Sequence, residues 1–172
     1  MSEPGPGPQP PAAPDDAEPV RSRHAGGPRP GGTKGRRGAR YGAVQQTYSA
    51  LLNPRPPQEL VLAALASDHL RAADRSYLQS LIHGVAEQRE ALDGELMQAI
   101  DRDLSLLDAM EHAVLLVGTY ELMHEPTLPA GVVINEAVEL AKTFGATDGH
   151  RYVNGVLDKL ARRLRSLEYA AG

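Results

Sequence analysis

The chain has 172 residues, a net charge of -4 and no cysteine, which excludes a disulfide framework and a thiolate metal site. Hydrophobic residues make up 41% of it but aromatic residues only 4%, so the core must be largely aliphatic, which favours packed helices. No apolar run approaches the roughly 18 residues of a membrane span, and the first thirty residues lack an apolar signal-peptide core. We therefore expect a cytoplasmic protein that does not contact a membrane.

Charge is unevenly distributed along the chain. Residues 1–40 carry seven basic and four acidic side chains, a balance of +3, whereas residues 41–172 carry eleven and eighteen, a balance of -7. Nine of the fourteen prolines lie within the first 38 residues, so we predict that residues 1–35 form a disordered Pro/Gly-rich basic tail. A basic segment on an acidic body suits a polyanionic partner, but a solvated tail that maintains solubility explains the same composition.

Helical periodicity begins at Arg36. The first helix is predicted to end at Asn53-Pro54, because proline disfavours helical geometry in the residue before it. Asp74 is suited to cap a third helix after a short second one. The pattern leaves open whether Gly94 divides that third helix in two.

The second half of the chain continues the helical pattern. Ser105 is predicted to begin a helix that has Leu106 in its inward-facing stripe. A further helix ends at Phe144, and Thr147 or Asp148 caps the last one. Six to seven helices joined by short loops predict an all-α bundle.

Sequence signatures of enzymes are missing from the chain. It contains no phosphate-binding loop, dinucleotide fingerprint, zinc-protease motif or nucleophile elbow. The six histidines lack ligand spacing, and solvated helix faces or capping explain acidic pairs such as Asp101/Asp103. We therefore expect no catalytic residue, no metal site and no cofactor.

The first helix has a basic start. Arg36, Arg37 and Arg40 follow one another at i, i+1 and i+4, so Arg36 and Arg40 share a helix face. Cations are unfavourable at the positive end of a helix dipole, which suggests that they serve an anionic ligand such as nucleic-acid phosphate. Tyr48, two turns after Tyr41, would extend that surface with a ring on which bases can stack. An ordinary first helix with a basic start is the alternative.

The junction before the last helix is polar and aromatic. A helix start at Asp148 offers free backbone N–H groups, with Arg151 and Tyr152 in the first turn. The Asp148 carboxylate is suited to accept from base amino groups. Gly155 costs about 1 kcal/mol inside a helix, which close approach of a neighbouring helix or of a ligand would offset. A tightly packed helical hairpin explains the glycines alone, so both interpretations remain open.

Residues 134–162, INEAVELAKTFGATDGHRYVNGVLDKLAR, closely resemble the C-terminal signature of the bacterial NusB family of transcription antitermination factors. RRGARYGAVQQTYS resembles the first helix of that family and EHAVLLVGTYEL its central one. The similarity extends over residues 36–165. It implies that residues 36–170 form two packed helical subdomains. It also implies a protein that binds boxA-type single-stranded RNA of ribosomal RNA operon leaders with ribosomal protein NusE. This complex, which includes RNA polymerase and other Nus factors, would elongate through terminators.

The resemblance also implies roles for individual residues. Glu111 falls where the family meets NusE. Tyr41, Thr47 and Leu116 depart from the family pattern. The RNA-contacting residues come from both ends of the domain and are expected to converge into one cradle for unpaired nucleotides: Arg36, Arg37, Arg40, Tyr48, Asp148, Arg151 and Tyr152.

Three other functions are alternatives to RNA binding. A DNA-binding helical regulator would use the basic first helix, and a pure protein-interaction scaffold would bind no RNA. A ribosomal RNA methyltransferase carrying a similar helical domain would need a cofactor-binding domain and a catalytic cysteine, which this sequence lacks. The resemblance leaves a homodimer open, since some relatives self-associate through the surface that binds RNA.

Overall fold

A computed structural model of the chain describes residues 33–144 and 148–171. Most of the predicted tail, and the predicted cap Thr147, lie outside these ranges. The all-α prediction is confirmed: the described residues contain no strand. Two 3-10 turns, Asp68–Leu70 and Leu104–Leu106, accompany eight α-helices: α1 Gly35–Leu52, α2 Pro57–Leu65, α3 Arg75–Glu87, α4 Arg89–Met97, α5 Ala109–His124, α6 Ala130–Phe144, α7 Gly149–Leu164 and α8 Ser166–Ala170.

Polar side chains and backbone geometry define the helix ends. As predicted, α1 ends at Asn53, whose N–H donates to the Ser49 carbonyl at 2.9 Å. The prediction that Asp74 caps the third helix is also confirmed, because its carboxylate accepts from the Tyr77 N–H at 3.0 Å. Each bond satisfies a backbone group that the helix end leaves without an intrahelical partner.

One predicted helix boundary is wrong, and the division that the pattern left open at Gly94 occurs at another residue. The third helical region divides at Gln88, which has the non-helical angles φ -106° and ψ 18°, whereas Gly94 lies inside α4. Ser105 does not begin α5, because it belongs to a 3-10 turn that the Asp103 carboxylate caps at 2.8 Å. The helix begins after Asp108, whose carboxylate accepts two N–H groups of the first turn. Leu106, predicted to face inward, is 70% exposed.

Helix α5 is the centre of the molecule. It is apolar on nearly all sides, as expected for a helix surrounded by others, and α1, α3, α4, α6 and α7 all pack against it. Helices α1–α3 form one group and α4–α7 the other, joined mainly where α1 crosses α5. Gly118 permits close packing of α7, because a methyl group there would lie 2.9 Å from the Leu157 Cδ1.

The entrance to α1 is anchored to the start of α3. The Gly35 N–H donates to the Ala72 carbonyl at 2.8 Å, and the Asp74 N–H donates to the Gly35 carbonyl at 2.9 Å. Gly35 has a φ of +54°, in the left-handed region where only glycine carries no steric penalty. The chain therefore enters α1 at a defined point on the body.

A charged cluster is buried where α1, α3 and α5 meet. Arg40 is 5% exposed and Glu121 is 1% exposed, and the Arg40 Nε donates to the Glu121 Oε1 at 2.7 Å. The Tyr77 hydroxyl donates to the same oxygen. Burial raises the pKa of the Glu121 carboxyl, and its two donors act against that shift. One carboxylate thus joins three helices.

The part of the chain that the structure describes contains neither a membrane-spanning helix nor a cluster of metal-ligating side chains. None of its helices is long and apolar enough to cross a membrane. Nor does that part bring together three or more His, Asp or Glu side chains in an arrangement that would hold a metal ion.

The buried cluster predicts a large stability difference between two glutamates. Glu121→Ala leaves the Arg40 guanidinium buried without its partner, which typically costs about 3–5 kcal/mol. Glu139→Ala removes only an exposed pair with Lys142 and is expected to change stability by no more than about 0.5 kcal/mol. Urea unfolding of both variants measures the difference; Glu121→Gln serves if the alanine variant does not fold. Equal stability of the Glu121 and Glu139 variants would refute the structural role of the cluster.

Candidate nucleic-acid interface

The three arginines at the start of α1 occupy three different environments. Arg36 is exposed, and its guanidinium carbon lies 4.5 Å from the centre of the Tyr77 ring. Arg40, one turn later, lies 5.6 Å from the same ring, which confirms that the two share a face. Arg37 points elsewhere, toward α6. The three arginines at the start of α1 therefore differ in their contacts and in their exposure to solvent.

Arg37 forms a two-pronged ion pair with Glu136 of α6. Its Nη2 donates to Oε1 at 2.8 Å and its Nε donates to Oε2 at 3.1 Å. These hydrogen bonds, followed by the charge of Glu136, raise the pKa of Arg37. The Arg37 side chain remains 57% exposed. A phosphate that binds Arg37 would have to share the guanidinium with this carboxylate or displace it.

The expected role of Arg40 as a phosphate contact is corrected. Its guanidinium is buried and already paired with Glu121, and a second carboxylate oxygen, Oε2 of Glu136, lies 3.9 Å from its Nη1. Although burial opposes the shift, Glu121 raises the pKa of Arg40. A phosphate would have to break a buried ion pair to reach this side chain. Arg40 orients α1, while Arg36 and Arg37 face solvent.

Helix α1 and the end of α6 meet through two aromatic rings. The centres of the Tyr41 and Phe144 rings are 4.6 Å apart. Tyr48 lies two turns further along α1 on the face of Tyr41, half-buried against the core. Tyr41, expected from the resemblance to depart from the family pattern, is 5% exposed and packs in the core; Thr47 and Leu116, the other expected departures, are also buried.

The start of α7 exposes two of its predicted site residues. Asp148 and Arg151 have side chains that are 79% and 80% exposed, and the Arg151 Nε lies 4.0 Å from the Asp148 Oδ1. Asp148 precedes the helix as predicted, but its side chain accepts no capping hydrogen bond. Both groups are therefore available to a ligand at the surface.

Tyr152 lies one turn further along α7, beside the turn that follows α4. Its hydroxyl donates to the Asp101 Oδ1 at 3.4 Å, and the Arg102 guanidinium carbon lies 4.3 Å from the centre of its ring. Burial raises the pKa of the Tyr152 phenol. The ring is half-buried, with one face accompanied by a guanidinium.

Glu111 lies against the first residue of α7. A methyl group placed on Gly149 would be 2.5 Å from the Glu111 Oε1, so an alanine there would require this carboxylate to move. Burial, and then the charge of Asp108, raise the pKa of Glu111, while Arg102 lowers it. The predicted partner-binding residue and the predicted RNA-binding residues of α7 therefore share one corner of the molecule.

The structure does not bring all of the predicted RNA-binding residues together. Arg40 and Tyr152 are not neighbours: Arg40 contacts Glu121, whereas the first residue of α7 lies against Glu111, about 15 Å away along α5. The two ends of the domain instead meet where Tyr41 contacts Phe144. That contact places the aromatic face of α1 against the last residue of α6.

Sequence reasoning missed three residues of this surface. Arg102 lies in a turn with no motif, and no sequence pattern singles out Glu121 or Glu136 as a partner of an arginine. The i, i+3 spacing of Glu136 and Glu139 in α6 signals a helix face but not the arginine that approaches it from 99 residues away. Only the tertiary arrangement identifies these partners.

Comparisons with known proteins identify a family with this sequence and fold. The NusB family profile matches residues 37–162. The transcription antitermination protein NusB of Nitrosomonas eutropha is 44% identical over 133 residues, which cover 77% of this chain and 80% of that protein. That of Methylobacillus flagellatus is 41% identical over 145 residues, covering 84% and 94%. The structure of T. maritima NusB superimposes with a TM-score of 0.70 at 23% identity, covering 78% of this chain and 96% of that one, and shows the shared fold.

The fold and the relatives together define an all-α transcription antitermination protein. The chain belongs to the NusB family.

Two glycines of α7 predict opposite effects on stability. A methyl group on Gly155 would meet nothing within 4 Å, so close helix approach does not explain this glycine, and Gly155→Ala is expected to stabilise the protein by about 1 kcal/mol. Gly149→Ala would displace the Glu111 carboxylate from the positive end of α7, where an anion typically contributes about 0.3–1 kcal/mol. Thermal unfolding of the two variants measures both effects. If both substitutions stabilise the protein, the position of the Glu111 carboxylate beside Gly149 does not contribute to stability.

Proposed function

We propose that this protein is a non-enzymatic adaptor that binds boxA-type single-stranded RNA of ribosomal RNA operon leaders. It would do so together with ribosomal protein NusE, in an RNA polymerase elongation complex with other Nus factors, and so support elongation through terminators. The observation that carries the proposal is the corner at the start of α7. There an exposed carboxylate, an exposed guanidinium and a half-buried tyrosine ring lie within one helical turn: Asp148, Arg151 and Tyr152.

The chemistry of this corner suits unpaired RNA. A tyrosine ring stacks on bases of any sequence, and a carboxylate discriminates bases by accepting from their amino groups. Arg151 supplies a cation for the backbone. Tyr48, on the face of α1 that meets Phe144, supplies a second ring. Duplex nucleic acid keeps its bases stacked inward, so rings presented in this way favour single strands.

The α1 arginines contribute unequally to this proposal. Arg36 and Arg37 are exposed and would contact the RNA backbone. Arg40 would act as a positioning residue through its buried pair with Glu121. In this revised assignment, two of the three arginines carry the electrostatic part of binding.

The position of Glu111 supports a composite site with NusE. Its carboxylate lies against Gly149, next to the residues proposed to bind RNA. A protein that docks at Glu111 would therefore lie beside the same RNA strand. The proposal is that NusE and RNA bind cooperatively because they share this corner.

The test is a titration of short single-stranded boxA RNA, with and without NusE, followed by fluorescence anisotropy at several salt concentrations. We expect binding that NusE strengthens and that duplex DNA does not displace. Displacement by duplex DNA would favour a DNA-binding regulator, and no RNA binding even with NusE would favour a protein scaffold. Sedimentation of the same samples shows whether self-association competes with RNA.

Salt dependence separates the arginines. Arg37→Ala is expected to reduce the slope of log Kd against log salt by about 0.7, the contribution of one phosphate contact on a single strand. Arg40→Lys, which keeps a buried cation, is expected to leave that slope unchanged. Arg71→Ala removes an exposed cation paired with Asp68, and provides the matched control. A smaller slope for Arg40→Lys but not for Arg37→Ala would reverse the assignment.

Glu136 is expected to compete with RNA for Arg37. Glu136→Gln keeps the shape of the side chain but removes its charge, so RNA affinity should rise about two- to fivefold, the equivalent of an exposed ion pair. The same titration at low salt measures this change. Glu139→Gln, one turn further along α6, serves as the control and should alter affinity less. Weaker binding by the Glu136 variant would mean that this carboxylate orients Arg37 for RNA.

A further inference from the structure

Arg102 lies over the ring of Tyr152 without any pattern in the sequence that predicts it. It occupies the turn between α4 and the 3-10 helix Leu104–Leu106. Its guanidinium carbon is 4.3 Å from the ring centre, within the range of a cation–π contact. The ring belongs to α7, so the contact joins two segments that are distant in the chain.

Asp101 holds both members of this pair. The Arg102 Nε donates to the Asp101 Oδ1 at 2.9 Å, and the Tyr152 hydroxyl donates to the same oxygen at 3.4 Å. The side chains of Arg102 and Asp101 are 42% and 70% exposed. An ion pair this exposed is weak, because water screens it. The Tyr152 ring therefore positions the Arg102 guanidinium, while the weak pair with Asp101 allows another anion to replace that carboxylate.

Charges of both signs lie in the same corner. Asp148 and Arg151 lie at the start of the same helix as Tyr152, both exposed. Glu111 is close enough to Arg102 to influence the pKa of its guanidinium, which Asp101 raises most strongly. A nucleotide that replaces Asp101 would find a cation already oriented and a ring beneath it.

We propose that Arg102 is an RNA-binding residue that continues the stack on Tyr152. One face of its guanidinium lies toward the ring and the other toward an unpaired base, while its N–H groups donate to the adjacent phosphate. Planar guanidinium suits both contacts, because it stacks on π-systems and presents donors around its edge. This assignment rests on the proposed function and specifies how the α7 corner receives a nucleotide.

The chain contains a matched control on the same helix. Near the other end of α7, Arg162 lies 5.1 Å from the ring centre of Tyr169 and its Nε donates to the Asp158 Oδ2 at 3.0 Å. This second set repeats the arginine, tyrosine and aspartate arrangement away from Asp148 and Tyr152. It controls for the loss of an exposed ion pair and of a cation–π contact.

The experiment uses the full chain with NusE and single-stranded boxA RNA that carries 2-aminopurine at successive positions. Stacking quenches 2-aminopurine fluorescence, so quenching at one position reports the base that lies on Arg102. Arg102→Ala is expected to raise Kd at least fivefold, as for loss of a stacked base, and to relieve the quenching at that position. Arg162→Ala is expected to change Kd less than twofold.

Arg102→Lys distinguishes stacking from charge. Lysine keeps the cation but lacks the planar group, so the salt slope should be retained while the quenching is lost. Wild-type affinity and quenching in both Arg102 variants would overturn the proposal and leave the proposed function intact. Tighter binding by Arg102→Ala would overturn it too, since Arg102 would then merely cover the ring. If the wild-type protein binds no RNA with NusE, the proposed function and this assignment fail together.

Discussion

The buried ion pair between Arg40 and Glu121 is the constraint on which the rest of the arrangement depends. Glu121 belongs to α5, the helix against which five others pack, and its carboxylate accepts from both α1 and α3. Removing two charges from water is unfavourable unless each finds a partner with good geometry. The pairing therefore permits one rotation of α1 about its axis. That rotation turns Arg36 and Arg37 outward and sets Tyr41 against Phe144.

The arginines at the start of α1 thus have two different roles, and their spacing in the sequence does not show which arginine has which role. The arginine that enters the core contributes to architecture, and the two that remain outside are available to a ligand. Glu136 links these groups, because it accepts two hydrogen bonds from Arg37 and lies 3.9 Å from Arg40. Membership of the NusB family makes RNA the natural candidate ligand. If RNA binds Arg37 as proposed, it must compete with the Glu136 carboxylate for that guanidinium.

Local features of the fold were predictable, and long-range pairings were not. Asp74 and Asn53 act through neighbours three or four residues away, so their capping roles can be read from the chain. The start of α5 was misplaced because Asp103 and Asp108 both cap turns, and only tertiary packing selects the second as the beginning of a long helix. Arg40 meets its partner 81 residues away, so its burial has no signal in the local pattern. Arg102 was missed for the same reason.

The anchored entrance at Gly35 has a consequence for the residues that precede it. Backbone bonds to Ala72 and Asp74 attach the chain beside the exposed arginines of α1. Every cation between Arg21 and Lys34 is therefore joined through the backbone to that end of the molecule, and covalent attachment raises the effective concentration of such groups there. An anion captured by the body meets these cations by proximity alone, whether or not any of them has a binding site of its own.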